Sequence, residues 1–160
     1  MEEVRDHLKA RFAFVRQDLG DVLKRLKDPD LSWAPQEGMR TIAGQLLEIA
    51  NKEKEVLVWV QTGEYPDYDP DAFDLETATI EEIRTALASI RVETYRYIDS
   101  LTDDQLEREI VCPQRWWEAM RLPSCPLSEV LRNVAAHEWY HTAQLITYVW
   151  MRGDDPESWS

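Results

Sequence analysis

The stretch Val130-Leu131-Arg132-Asn133-Val134-Ala135-Ala136-His137-Glu138-Trp139-Tyr140-His141-Thr142-Ala143-Gln144-Leu145-Ile146-Thr147-Tyr148 decides how the chain is read. At roughly 100° per residue, Val130, Val134, His137, His141, Gln144, Leu145 and Tyr148 fall within about a third of a helix circumference. The segment is therefore an amphipathic helix with two imidazoles, one turn apart, on its apolar face. A histidine turned to water needs no partner from the protein. Two stacked inside a packed face do, because each ring must find a hydrogen-bond partner or a metal there. Neutral imidazole is the commonest protein metal ligand, so the pattern points to an ion held between helices. The competing reading is a pair of satisfied core histidines. His137-Glu138-x-x-His141 also matches the zinc-protease signature, with Glu138 as general base. The extended form of that signature needs Gly near 144 and His near 147. The chain has Gln144 and Thr147, which weakens the protease reading.

Three more helical blocks precede this one. The first is expected from about Val4 to Lys27, with Val4, Leu8, Phe12, Val15, Leu19, Val22, Leu23 and Leu26 at helical spacing and Pro29 as its stop. His7 near its start reads as a surface residue. The second runs from about Thr41, a plausible N-cap, to Gln61, with Gly63 just past its end. Ile42, Leu46, Ile49, Val56, Leu57 and Val60 form its stripe. Glu53 falls inside that stripe and Glu48 on its flank, beside Gln45 and Trp59. A buried carboxylate is costly unless paired, protonated or bound to a metal. Residues 62–78 read as an ordered connection without regular structure, long enough to run beside a neighbouring helix. The third helix is expected from about Thr79 to Ser100, with Ile80, Ile83, Leu87, Ile90, Thr94, Tyr97 and Ile98 buried. After it, Leu101-Thr102-Asp103-Asp104-Gln105-Leu106 reads as a short capped turn, and Trp116 and Trp117 as a cover for one end. The fourth helix runs from about Ser128 to Met151. The expected architecture is all-α: a four-helix bundle forming a single domain over residues 1–151, followed by a frayed polar tail, 152–160. Bundles build metal sites from inward side chains on facing helices.

Composition sets the outer limits. A chain of 160 residues carries one full core. Its 31 acids against 18 bases give a formal net charge of −13, which argues against nonspecific nucleic-acid binding. No run approaches the length of a membrane span, and Met1-Glu2-Glu3-Val4-Arg5 lacks a signal-peptide core. A cytoplasmic protein with no membrane partner is expected. Cys112 and Cys125, each beside a proline, are not a CxxC pair and read as reduced thiols.

Three pieces of the sequence resemble a known family. Leu31-Ser32-Trp33-Ala34-Pro35-Gln36-Glu37-Gly38-Met39-Arg40-Thr41-Ile42 resembles the Trp-x-Pro…Gly…Ser/Thr-Ile entrance to the second helix of the DinB/YfiT-like superfamily. Leu101-Thr102-Asp103-Asp104-Gln105-Leu106 is similar to the turn after its third helix. His137-Glu138-x-x-His141-x-x-Gln144-Leu145 is similar to its His-x3-His-x2-Gln motif. In this order they cover about residues 5–151.

The resemblance implies up-down-down-up topology, frequent dimerisation, and a divalent metal, commonly zinc or nickel, on three histidines. Two of these correspond to His137 and His141. The third, on helix two, aligns with Glu48, a departure that implies a two-histidine, one-carboxylate site. The harder oxygen donor brings manganese and iron into range beside zinc and nickel. Glu53, further along the same helix, is the alternative third ligand, or an acceptor for a histidine N–H. Family members with assigned chemistry include transferases and isomerases that use low-molecular-weight thiols. The implied function is a metal-dependent transferase, or a hydrolase, acting on a small molecule as a homodimer. The competing function is a non-catalytic, stress-associated dimeric binding bundle with a degenerate metal site.

Overall fold

The computed structural model describes residues 4–67, 71–114, 116, 118 and 121–159. Four long helices dominate: α1 (Val4–Arg25), α2 (Ile42–Thr62), α3 (Ile80–Asp99) and α5 (Leu127–Met151), with a single-turn α4 (Asp103–Leu106). Their ends follow local chemistry. The Thr41 hydroxyl accepts the Gly44 N–H at 3.0 Å to cap α2. Gly63 ends the same helix at φ 82°, left-handed backbone that a side chain would strain, and its N–H returns to the Trp59 carbonyl at 2.7 Å. Thr79 with Glu82, and Thr102 with Gln105, form reciprocal capping boxes that start α3 and α4.

The core falls into two apolar clusters, and their membership gives the topology. One contains the C-terminal part of α1 (Leu19, Val22, Leu23), the N-terminal part of α2 (Ile42, Leu46, Ile49), the start of α3 (Ile80, Ile83, Leu87) and the end of α5 (Leu145, Tyr148, Val149). The other contains the opposite ends: Leu8, Phe12 and Val15; Val56 and Trp59; Ile98; Val130, Leu131 and Val134. The helices therefore run up, down, down, up. Because α2 and α3 are parallel, the end of α2 and the start of α3 lie at opposite ends of the bundle, a span the 62–78 connection is long enough to cover.

Between the clusters lies a layer of charge drawn from all four helices. Arg91 donates through Nε to Glu53 Oε1 (2.7 Å) and through Nη2 to Glu53 Oε2 (3.1 Å) and to Glu138. Arg16 donates Nε to Glu138 Oε1 at 2.7 Å and Nη2 to Glu53 Oε2 at 3.2 Å. Thr94 adds a hydroxyl to Glu53 Oε1 at 2.7 Å. The spare guanidinium prongs reach helix carbonyls, Arg91 to Phe12 at 2.8 Å and Arg16 to Leu87 at 2.9 Å. Two carboxylates meet two guanidiniums, so the layer is neutral. Burial alone would lower the Arg91 pKa, but Glu53 and then Glu138 outweigh it and hold the group protonated.

Several expectations change. Arg91, not Ile90, occupies the buried face of α3, and Ile90 and Tyr97 are only half-buried. The all-α bundle stands, with one small addition: β1 (Glu109–Val111) and β2 (Ser124–Pro126) form an antiparallel ribbon pairing Ile110 with Cys125. Trp116 is buried against Trp59, with ring centroids 5.4 Å apart, and so covers one end of the bundle; Trp117 lies outside the described residues. The tail is not frayed. It forms a 3-10 turn (Pro156–Ser158), the Trp159 indole donates to Asp154 at 2.9 Å, and Arg25 stacks over its ring. Arg152 ties the end of α5 to Asp30 at 2.5 Å. No helix among the described residues is long and apolar enough to cross a membrane.

Removing one member of a buried, fully paired layer leaves its partners charged in an apolar interior, which costs about 3–5 kcal/mol. Arg91→Leu, which leaves Glu53 and Glu138 sharing the single guanidinium of Arg16, should lose that much in urea unfolding. Arg16→Leu should lose less, since the Arg16 side chain is 21% exposed and water can replace part of its role. Equal losses from the two variants would contradict this description of the layer.

Candidate metal centre

The flank shared by α2 and α5 carries the cluster that the sequence singled out. Glu48 on α2 and His137 and His141 on α5 each offer a ligand atom, and these atoms lie within 4.8 Å of one another. The two Nε2 atoms are 3.1 Å apart. Two imidazole nitrogens on one zinc-like ion, each at about 2.0–2.1 Å, would sit at close to that separation.

The surroundings fix which nitrogen of His141 can serve. The Gln45 amide nitrogen faces the Tyr148 hydroxyl at 3.1 Å, and that hydroxyl donates to the Arg40 carbonyl at 3.2 Å. This orients the Gln45 carbonyl oxygen toward His141 Nδ1, 2.5 Å away. Gln144 Oε1 lies 3.1 Å from the same nitrogen. Nδ1 must therefore carry the proton, and Nε2 is left with its lone pair pointing at His137 and the Glu48 side. Among the described residues, His137 Nδ1 is buried with no hydrogen-bond partner. The protein thus engages that ring's polar edge only through Nε2, at the convergence point.

The electrostatics agree. Burial, reinforced by His141, Lys52 and Arg40, lowers the His137 pKa to about 3. Burial likewise lowers that of His141, opposed in part by Glu48 and Gln144. Both rings are thus neutral at physiological pH, the state a metal requires. Glu48 is 39% exposed and pairs with Arg40 Nη2 at 2.9 Å, which makes its side the open one. Three convergent donors, a fixed tautomer and a carboxylate at the open edge fit a divalent cation.

Of the sequence candidates, Glu48, His137 and His141 come together. Glu53 does not. Its carboxylate is committed to Arg91, Arg16 and Thr94, so it is neither a third ligand nor an acceptor for a histidine N–H. Glu138 points into the same layer, held by Arg16 and Arg91, which removes the general base of the protease reading. Sequence reasoning took Gln45 only as a neighbour of Glu48 and passed over Arg40. A Gln one turn before Glu48 was the available signal for Gln45.

Residues 11–145 match the sequence pattern of the DinB superfamily. The chain belongs to the DinB superfamily. No curated protein matches it in sequence. Solved structures match it in fold: a Streptococcus pneumoniae structural-genomics protein superimposes with TM-score 0.70 at 16% identity, covering 95% of this chain and 92% of that one. An uncharacterised protein of Clostridium difficile gives TM-score 0.66 at 15% identity over 96% and 98% of the two chains. A conserved Enterococcus faecalis protein gives 0.65 at 13% over 92% and 95%. At these identities the likeness establishes the DinB fold alone.

The lowered pKa values couple this DinB site to stability. An unfolded histidine titrates near 6.5, whereas His137 in the fold titrates near 3. Between those values the unfolded chain binds the extra proton. The contribution of the neutral ring is therefore complete above pH 6.5 and is lost as pH falls toward 3. Metal-free protein should lose up to about 2 kcal/mol through His137 between pH 7 and pH 5. Urea melts of wild type and His137→Leu at both pH values check this; an unchanged pH slope in the variant would refute it.

Proposed function

We propose that this DinB protein is a divalent-metal-dependent enzyme acting on a small molecule, with Glu48, His137 and His141 as the ligands. The observation that carries the reading is the locked tautomer of His141, whose free Nε2 lies 3.1 Å from that of His137 beside the Glu48 carboxylate. Zinc or nickel suits the imidazoles, and the carboxylate extends the range to manganese and iron. The ion would supply Lewis acidity, the property that makes a thiol or a water molecule acidic at neutral pH. A transferase using a low-molecular-weight thiol is the leading version, and a hydrolase the second. We place the enzyme in the cytoplasm as a homodimer.

The chain's own residues have distinct tasks in this reading. Gln45, braced by Tyr148, holds the proton on His141 Nδ1 and fixes the ring plane. Glu48 would hold the ion with the carboxylate that now pairs with Arg40. The buried ring of His141 closes the inner side of the site.

A second reading has its own support. Arg40 already pairs Glu48, and His137 already contacts His141, so the cluster is nearly satisfied without an ion. That is what a non-catalytic binding bundle with a degenerate site requires.

Metal content of protein purified without a histidine tag separates the two. The enzyme reading expects one ion per chain, lost in the His137→Ala, His141→Ala double variant. Glu48→Ala should bind far more weakly with the fold intact, and Glu48→His should shift preference toward zinc and nickel. Gln45→Leu should lower affinity by roughly 10–100-fold, through loss of the tautomer lock. A metal-free protein whose stability does not respond to added zinc, nickel, manganese or iron would favour the binding bundle.

A further inference from the structure

Outside the site, the two cysteines are the one nucleophilic pair the functional reading leaves unused. Cys112 follows β1 and Cys125 is the middle residue of β2. The ladder continues past the strand ends, with the Cys112 N–H donating to the Pro123 carbonyl at 3.0 Å. Cys125 pairs with Ile110, two residues before Cys112, so both cysteine side chains stand diagonally on one face of the ribbon. Both are buried and free, and their sulfurs are 3.6 Å apart. A disulfide needs a separation of about 2.05 Å. Each sulfur must therefore travel less than about 1 Å to bond the other.

We propose that Cys112 and Cys125 form a reversible intramolecular disulfide that staples the ribbon when the chain meets a small organic disulfide. The conversion takes two exchange steps. In the first, one cysteine loses its proton to solvent, and its thiolate attacks the oxidant, giving a mixed disulfide and releasing one small thiolate. In the second, the other cysteine loses its proton and attacks the protein sulfur of that mixed disulfide, expelling the second small thiolate. The pair gives up two electrons and two protons, and the oxidant becomes two thiols.

The order of the steps follows from the surroundings. Burial, with Cys112 beside it, pushes the Cys125 thiol up to about 12. Cys125 is thus a poor first nucleophile and suits the second step, where proximity compensates for its low thiolate fraction. Cys112, at 7% exposure against 4% for Cys125, is the more accessible of the two. The staple would join the chain on either side of Trp116, which packs on Trp59 beneath the Lys52 ammonium, 5.7 Å from the ring. It would fix the cover on that end of the bundle.

The test uses the whole protein in buffers of reduced and oxidised glutathione, native and in concentrated urea. Thiol alkylation and intact mass after acid quench report the products. If the fold pre-positions the pair, the native cross-link should withstand a ratio [GSH]²/[GSSG] at least about tenfold higher than the same cross-link in the unfolded chain. By linkage, the oxidised protein should then melt at a higher temperature than the reduced one. Cys125→Ala should give only a glutathione adduct at Cys112. A native ratio equal to or below the unfolded one, or glutathione adducts in place of the cross-link in wild type, would overturn the proposal.

Discussion

Everything in this bundle is arranged around the neutral layer of Arg16, Glu53, Arg91 and Glu138. Each long helix passes from one apolar cluster to the other at its charged residue: Val15 to Leu19, Ala50 to Val56, Leu87 to Ile98, Ala135 to Leu145. Apolar packing tolerates a helix turned by a few tens of degrees. A forked guanidinium on a carboxylate does not, because its bonds are directional and its desolvation is recovered only when they form. Such a layer adds little net stability over a well-packed apolar one. What it sets is rotation and register.

That setting reaches the metal centre. With Glu53 and Glu138 both aimed at the bundle axis, the remaining directions on α2 and α5 are fixed. At roughly 100° per residue, His137 and His141 lie about 60–100° to one side of Glu138, and Glu48 lies about 140° from Glu53. These are the flanks that α2 and α5 turn toward each other. The Gln45–Tyr148–Arg40 chain joins the same two helices again near the opening of α2. Site and core are therefore one construction, with the ions paired inside and the candidate ligands at the seam.

Much of this was legible in the sequence, and the gaps have physical causes. Helical periodicity gave the four long helices to within a residue or two at nearly every end, because Thr41, Gly63 and Thr79 carry strong local signals. The histidine pair was readable because apolar faces rarely hold two imidazoles. The placement of Glu53 in its stripe was also right, and pairing was among the ways named to make it tolerable. Its partners were missed. Ile83, Leu87, Arg91, Thr94 and Ile98 share one stripe, but hydrophobicity alone favours Ile90 over Arg91 for the buried position. A buried carboxylate demands a cation, and asking which stripe could supply one leads to Arg91. The ribbon was invisible for another reason. Its strands are three residues each, too short for an alternating pattern to register. The order in the tail depends on Trp159 meeting Asp154 and Arg25, the second of these far away in the chain.

The charged layer also dictates the order of events during synthesis. By the time α3 has emerged, the nascent chain holds both guanidiniums but only Glu53 to balance them. A three-helix assembly would bury an unmatched positive charge and leave the α1 seam open. Only α5, the last of the four long helices to be made, brings Glu138. A three-helix assembly therefore gains little by closing around the layer before the final helix is available. The bundle is built to be assembled whole.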